Sequence, residues 1–208
     1  MVVQHNMTSM NANRQLGITV GNQAKATEKL SSGYKVNRAG DDAAGLTISE
    51  KMRSQIRGLN KASTNAEDGI SAIQTAEGAL NEAHEILQRM NELATQAAND
   101  TNTSSDRTAI KKEVDALTSE LNRIASTTQF NTMNLLDGTF TGKKLQVGAL
   151  NGQTISISVK TMNATALGVN ALTVDTNANA GTSMSKIQAA ISKVSTQRSA
   201  LGALQNRL

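Results

Sequence analysis

The sequence predicts a mainly α protein: an elongated antiparallel helical rod, coiled-coil-like in its packing, with a small β-hairpin region. Three observations carry that expectation. Apolar residues recur at steps of seven through the middle of the 208-residue chain, the aromatic fraction is 1%, and a short alternating segment follows an Asn-Gly pair. With two Phe, one Tyr and no Trp, any core must be filled by aliphatic side chains, many only alanine. Closely approaching helices use that supply best.

The elements follow in order. Over residues 1–44, Met7, Met10, Leu16, Val20, Ala24 and Leu30 make a sparse stripe, and Gly17, Gly21 and Gly33 each weaken a helix by roughly 1 kcal/mol relative to alanine. This N-terminal segment is expected to be weakly helical or mobile alone and to need a partner helix. Residues 45–126 carry the strongest signal. Leu59, Ala66, Ile73, Leu80, Leu87 and Ala94 form one heptad row, and Ala62, Gly69, Ala76, Ala83, Met90 and Ala97 form the adjacent row. At 1.5 Å per residue the run from Leu59 to Ala97 extends roughly 60 Å. Ile48, Met52 and Ile56 continue the spacing back towards Asp41 and Asp42, whose charges favour a helix N-terminus. The polar cluster 99–104 ends this helix. Ser105 or Asp106 is expected to cap a second one, carrying Ile110, Val114, Leu117, Leu121 and Ile124, that folds back antiparallel.

From residue 127 to 182 the period changes. Asp137-Gly138 signals a turn, and Asn151-Gly152 separates Lys144–Ala149 from the alternating Ile155-Ser156-Ile157-Ser158-Val159, which reads as a hairpin. The Asn/Thr/Ala-rich stretch from about Thr173 to Thr182 reads as loop. Over 183–208, Met184, Ile187, Ile191, Val194, Leu201, Leu204 and Leu208 restore a helical stripe that is still running at the last residue. That pattern is expected of a helix cut short.

Several classes of function are excluded or disfavoured. Without Cys there is no disulfide or zinc-cysteine module. The net charge of +4 is interleaved rather than blocked, so nothing marks a nucleic-acid partner, and no apolar run approaches the roughly 18 residues of a membrane insertion. His5 and His84 lie far apart in sequence, and Asp41 and Asp42, as immediate neighbours, do not share a helix face; neither pair makes a metal site. Gly40–Gly45 lacks the Lys-Ser/Thr of a phosphate loop. No catalytic residue, cofactor or metal is expected. The chain reads as no enzyme.

The run Glu28-Lys29-Leu30-Ser31-Ser32-Gly33-Tyr34-Lys35-Val36-Asn37-Arg38-Ala39-Gly40-Asp41-Asp42-Ala43-Ala44-Gly45-Leu46 closely resembles bacterial flagellin. The similarity continues through I-S-E-K-M-R-S-Q-I-R-G-L-N from Ile48, D-G-I-S-A-I-Q-T-A-E-G-A-L-N-E from Asp68 and T-Q-F-N-T-M-N-L-L-D-G from Thr128, and ends in V-S-T-Q-R-S-A-L-G-A-L-Q-N-R-L. The resemblance implies a structural subunit of the flagellar filament that self-assembles with other flagellin subunits for motility. It implies export by the flagellar machinery, a type III route without a cleaved signal peptide, to an extracellular flagellum. It also implies recognition by the host Toll-like receptor for flagellin. A hook-filament junction protein of the same superfamily is the alternative. Relative to the family, the chain is expected to be a compact form without outer variable domains, truncated before the C-terminal helices, and therefore unable to polymerise as the intact protein does.

The resemblance also carries over three contact residues, Arg89, Leu93 and Glu113, for neighbouring subunits or the receptor. Asn91 stands where several strongly stimulatory relatives have arginine. Helix geometry adds that Arg89 and Leu93, four apart, share a face distinct from that of Met90, so Leu93 is expected to point outward beside Arg89.

Overall fold

The computed structural model describes residues 6–208 and divides the chain into two units, Met1–Arg57 and Gly58–Leu208. In the first unit, helix α1 (Met7–Ser32) starts at Asn6, whose side chain accepts from Ser9 N at 3.1 Å, and ends where Gly33 turns left-handed with φ 70°. Gly17 and Gly21 do not interrupt it, and the stretch is a regular 26-residue helix. None of its side chains is buried. The link to the next helix is pinned by Asp41 Oδ2, which accepts from Asn37 N and Arg38 N at 3.3 Å each, while Asp42 Oδ1 accepts from Gly45 N at 2.9 Å. The two neighbouring carboxylates therefore do separate structural work, one closing a loop and one capping a helix start.

Helix α2 (Ala43–Ala97) is a single element of 55 residues, mainly-α architecture realised from the heptad run. Its burial is uneven. Ile48, Met52, Ile56 and Leu59 are 53–59% exposed, whereas Ala62 is buried, Ala66 half-buried, and both rows are buried from Gly69 to Ala97. Two neighbours cover that buried length within the second unit. Helix α3 (Ser104–Thr127) folds back against it with Ile110, Val114, Leu121, Ile124 and Ala125 buried. Its N-cap is Thr103, two or three residues before the position read from sequence. The Thr103 side chain accepts from Asp106 N at 3.3 Å, and Asp106 Oδ2 accepts from Thr103 N at 2.9 Å, so the two residues close a capping box.

This box makes a testable contribution. Thr103→Ala is expected to lower the free energy of unfolding by about 1 kcal/mol, read by urea denaturation at neutral pH. The Thr103 hydroxyl, then its N–H, holds the Asp106 carboxyl below its ordinary 3.8. Because the folded value is depressed, that contribution is complete above 3.8 and is lost as pH falls through the lower folded value. The stability of Thr103→Ala should therefore fall less steeply below pH 3.8 than that of the parent.

After α3 come two small antiparallel pairs. Strands β1 (Gln129–Phe130) and β2 (Met133–Asn134) pair around Asn131 and Thr132, both at positive φ, a hairpin too short for the sequence pattern to announce. Strands β3 (Lys143–Gln146) and β4 (Thr154–Ile157) form the expected hairpin, with Leu145 opposite Ile155 and Gly152 at φ 87° in the connecting loop. That hairpin lies on small residues of α2. Asn65 Nδ2 donates to Gln146 O at 3.1 Å, Ala149 approaches Gly58 so closely that a Cβ there would sit 2.9 Å from its own, and Leu145 covers Gly69.

Helix α4 (Ala164–Leu167) is one turn, capped by Asn163. Helix α5 (Asn177–Gln205) then returns along α2 in the opposite direction: Asn177 Nδ2 donates to Ala98 O, Arg198 faces Glu77 at 3.8 Å, and Leu208 reaches Gly69. It begins inside the stretch read as loop. Its composition is poor for a helix, but Thr176 caps it, accepting from Asn179 N at 3.2 Å, and Ala180 and Ser183 are already buried. Tertiary burial overrides local propensity there.

Candidate functional site

The residues singled out for contact lie where α2 meets α3. Arg89 Nη2 and Nε both donate to Glu113 Oε1, at 2.8 and 3.1 Å, bridging the two helices. Its Nη1 donates to Glu92 Oε2 at 3.1 Å, an i,i+3 pair on α2 itself. Glu113 first, then Glu92, hold the guanidinium more firmly charged than a free arginine. The side chains stay open to solvent, 51% for Arg89 and 46% for Glu113. An exposed pair of this kind adds little to stability, because water already solvates both charges. It presents instead a fixed constellation of one cation between two carboxylates.

Leu93 is elsewhere. It is 2% exposed and belongs to the core, so the outward leucine expected beside Arg89 is corrected to a buried one. The reason is a third apolar row. Ala72, Ala79, Ile86 and Leu93 recur at steps of seven beside the two rows read from sequence; Ala72 and Leu93 are buried and Ala79 and Ile86 pack against the core. A helix with one neighbour buries two rows, whereas α2 has α3 and α5 on different flanks and buries three. Arg89 sits at the outer edge of this third row, directly above the seam that Leu93 helps to fill. The structure thus brings Arg89 and Glu113 together and buries Leu93 in the core.

Sequence reasoning also missed Arg107. Its Nε donates to Ala97 O at 3.0 Å and its Nη2 to Asn99 O and Asp100 Oδ1 at 3.3 and 3.0 Å, so the first turn of α3 caps the carbonyl end of α2. An arginine one residue past a capping box is the signal that was available. His84 hydrogen-bonds Gln88 on the surface of α2, and His5 lies outside the described residues. Among the described residues, no group of three or more His, Asp or Glu is placed to hold a metal ion, and no helix is long and apolar enough to cross a membrane.

Comparison with known proteins finds flagellins along the whole chain. Residues 3–141 match the family described as the bacterial flagellin N-terminal helical region. A flagellin of Halalkalibacterium halodurans (strain C-125) is 51% identical over 210 residues, covering 100% of this chain and 77% of the relative. Flagellin FlaB1 of Treponema pallidum (strain Nichols) is 46% identical, with 100% of this chain and 78% of the relative covered. A Bacillus subtilis (strain 168) flagellin is 45% identical, covering 100% and 80%. The crystal structure of Bacillus cereus flagellin superposes with a TM-score of 0.60 at 32% identity, over 68% of this chain and 82% of that one.

Proposed function

Since the chain belongs to the bacterial flagellin family, and is thus a structural subunit of the flagellar filament that assembles with other flagellin subunits and not an enzyme, we propose that Arg89 and Glu113 form a contact surface on it. The observation that carries the reading is the charge pair bridging α2 and α3 at 2.8 Å while remaining about half exposed. A subunit partner, or the host Toll-like receptor for flagellin, meets there a rigid arrangement whose two backbones are set by the seam beneath. Leu93 contributes by filling that seam and not by touching the partner. The family resemblance further supports passage through the flagellar export machinery to the extracellular filament, without a cleaved leader. Secretion that persists in a strain whose flagellar export apparatus is disabled would count against that route.

A charge swap separates a contact role from an internal one. Arg89→Glu and Glu113→Arg each break the pair, and the double variant restores it with the charges exchanged. All three should keep the parent's helical content and unfolding midpoint, since an exposed pair contributes little. Receptor binding by titration, and signalling in reporter cells, should drop in the single variants and stay low in the double one, because the partner still meets the wrong charges. Full recovery in the double variant would mean that the pair serves the fold alone.

A further inference from the structure

Buried polar side chains in the seam of α5 hold its position along the chain, and we propose that Ser183 and Gln197 are positioning residues that select the register of α5 from among registers its apolar residues would accept. One heptad row of the helix is Ala180, Ile187, Val194 and Leu201, all fully buried. Slide the helix by seven residues and three of these four positions receive another aliphatic side chain from the same row. Apolar contacts distinguish such registers only by differences of volume, which helical seams absorb with modest repacking.

The neighbouring row behaves differently. It runs Ser183, Ala190, Gln197, with Ser183 2% and Gln197 5% exposed. Ser183 Oγ donates to Thr173 O at 2.7 Å and accepts from Thr173 N at 3.2 Å, and Gln197 Nε2 donates to Ser158 O at 3.2 Å. Between them Lys193 Nζ donates to Ala166 O and Leu167 O at 3.0 and 3.2 Å. These partners are met in reverse order, so the segment from Ser158 to Thr173 is laid antiparallel along α5 and pegged at both ends.

A slip of one heptad in either direction puts Leu204 or Ala190 opposite Ser158 O and carries the Gln197 amide to a site built for another side chain. Buried donors and acceptors then lose their partners, and leaving such groups unmade costs far more than making them gains. A polar residue at one seam position is a known way to fix register at some expense in stability. In the observed register Arg198 faces Glu77. That contact supplies the reporter.

The chain has no cysteine, so introduced pairs report without interference. E77C/R198C marks the observed register, while E77C/I191C and E77C/Q205C mark the two one-heptad slips. Each pair is placed in the parent and in S183A/Q197L backgrounds and treated with a short bis-maleimide. In the parent only E77C/R198C should cross-link. In S183A/Q197L, helical content and cooperative unfolding should be kept while the thermal midpoint falls, because Thr173 and Ser158 lose their partners, and a slip pair should cross-link at about ten times its parental yield or more, the population change expected when one buried hydrogen bond no longer discriminates. Cross-linking confined to E77C/R198C in that background would overturn the proposal. So would loss of cooperative unfolding, which would make the two residues stabilisers of the fold; Q197M, which keeps volume, is measured beside it, and exclusive native cross-linking there counts against the proposal equally.

Discussion

Leu80→Ala should lower the free energy of unfolding by about 2–5 kcal/mol, while Leu59→Ala, in the same heptad row of the same helix, should change it by less than about 0.5 kcal/mol. The two leucines are indistinguishable by spacing. In the folded chain Leu80 is 0% exposed and Leu59 is 53% exposed. Truncating Leu80 removes its buried methyl groups and leaves a cavity between α2 and its neighbours, lined by side chains that only partly relax into it. Truncating Leu59 takes away surface that water already reached. Urea unfolding followed by circular dichroism measures both. Equal losses would mean that burial along α2 does not begin near Ala62, and the account of a helix covered over only part of its length would be wrong.

Gly138→Val is the other change with a large expected effect. Gly138 has φ 92°, a region that a β-branched residue occupies only at a cost of about 1–3 kcal/mol, and a Cβ there would drive into Thr161, whose own Cβ lies 3.3 Å from the added atom. Thr161 has nowhere simple to go. Its hydroxyl donates to Asp137 O at 3.3 Å, and the adjacent Met162 N donates to Leu136 O at 2.9 Å, tying residues 161–162 to the buried Leu135-Leu136 pair. The substitution should therefore destabilise the second unit and open residues 135–162 to hydrogen exchange ahead of the helices. Two glycines give the contrast. Gly142→Ala meets only the backbone penalty, since φ is 63° but nothing lies within 4 Å, and Gly78→Ala, on the exposed face of α2, should stabilise by about 0.5–1 kcal/mol.

Much of the helical framework was legible beforehand because it depends on local periodicity. The two apolar rows of α2, the stripe on α3 and the alternating hairpin all appear where the spacing puts them. The failures have a common cause. The start of α5 was hidden in a run of Asn, Thr and Ala that carries no apolar pattern, and only the burial of Ala180 and Ser183 makes that run helical. The β1–β2 pair is two residues long on each side, shorter than any alternation can register. At the candidate site, the resemblance to flagellin supplied Arg89, Leu93 and Glu113, and spacing paired Arg89 with Leu93. What spacing could not supply was a second neighbour for α2, so Leu93 was turned outward when it belongs to the core.

The order of residues alone dictates that long aliphatic seams repeat every seven residues, that the helices made from them must pack closely, and that the chain resembles flagellin. Periodicity is a property of one helix, and any segment of it announces which side chains share a face. Tertiary structure decided how many of those faces are covered, and by what. That depends on where distant segments return: α3 and α5 flank α2 beyond Gly69 and bury a third row there, while Ile48, Met52 and Ile56, written in the same pattern, stay exposed.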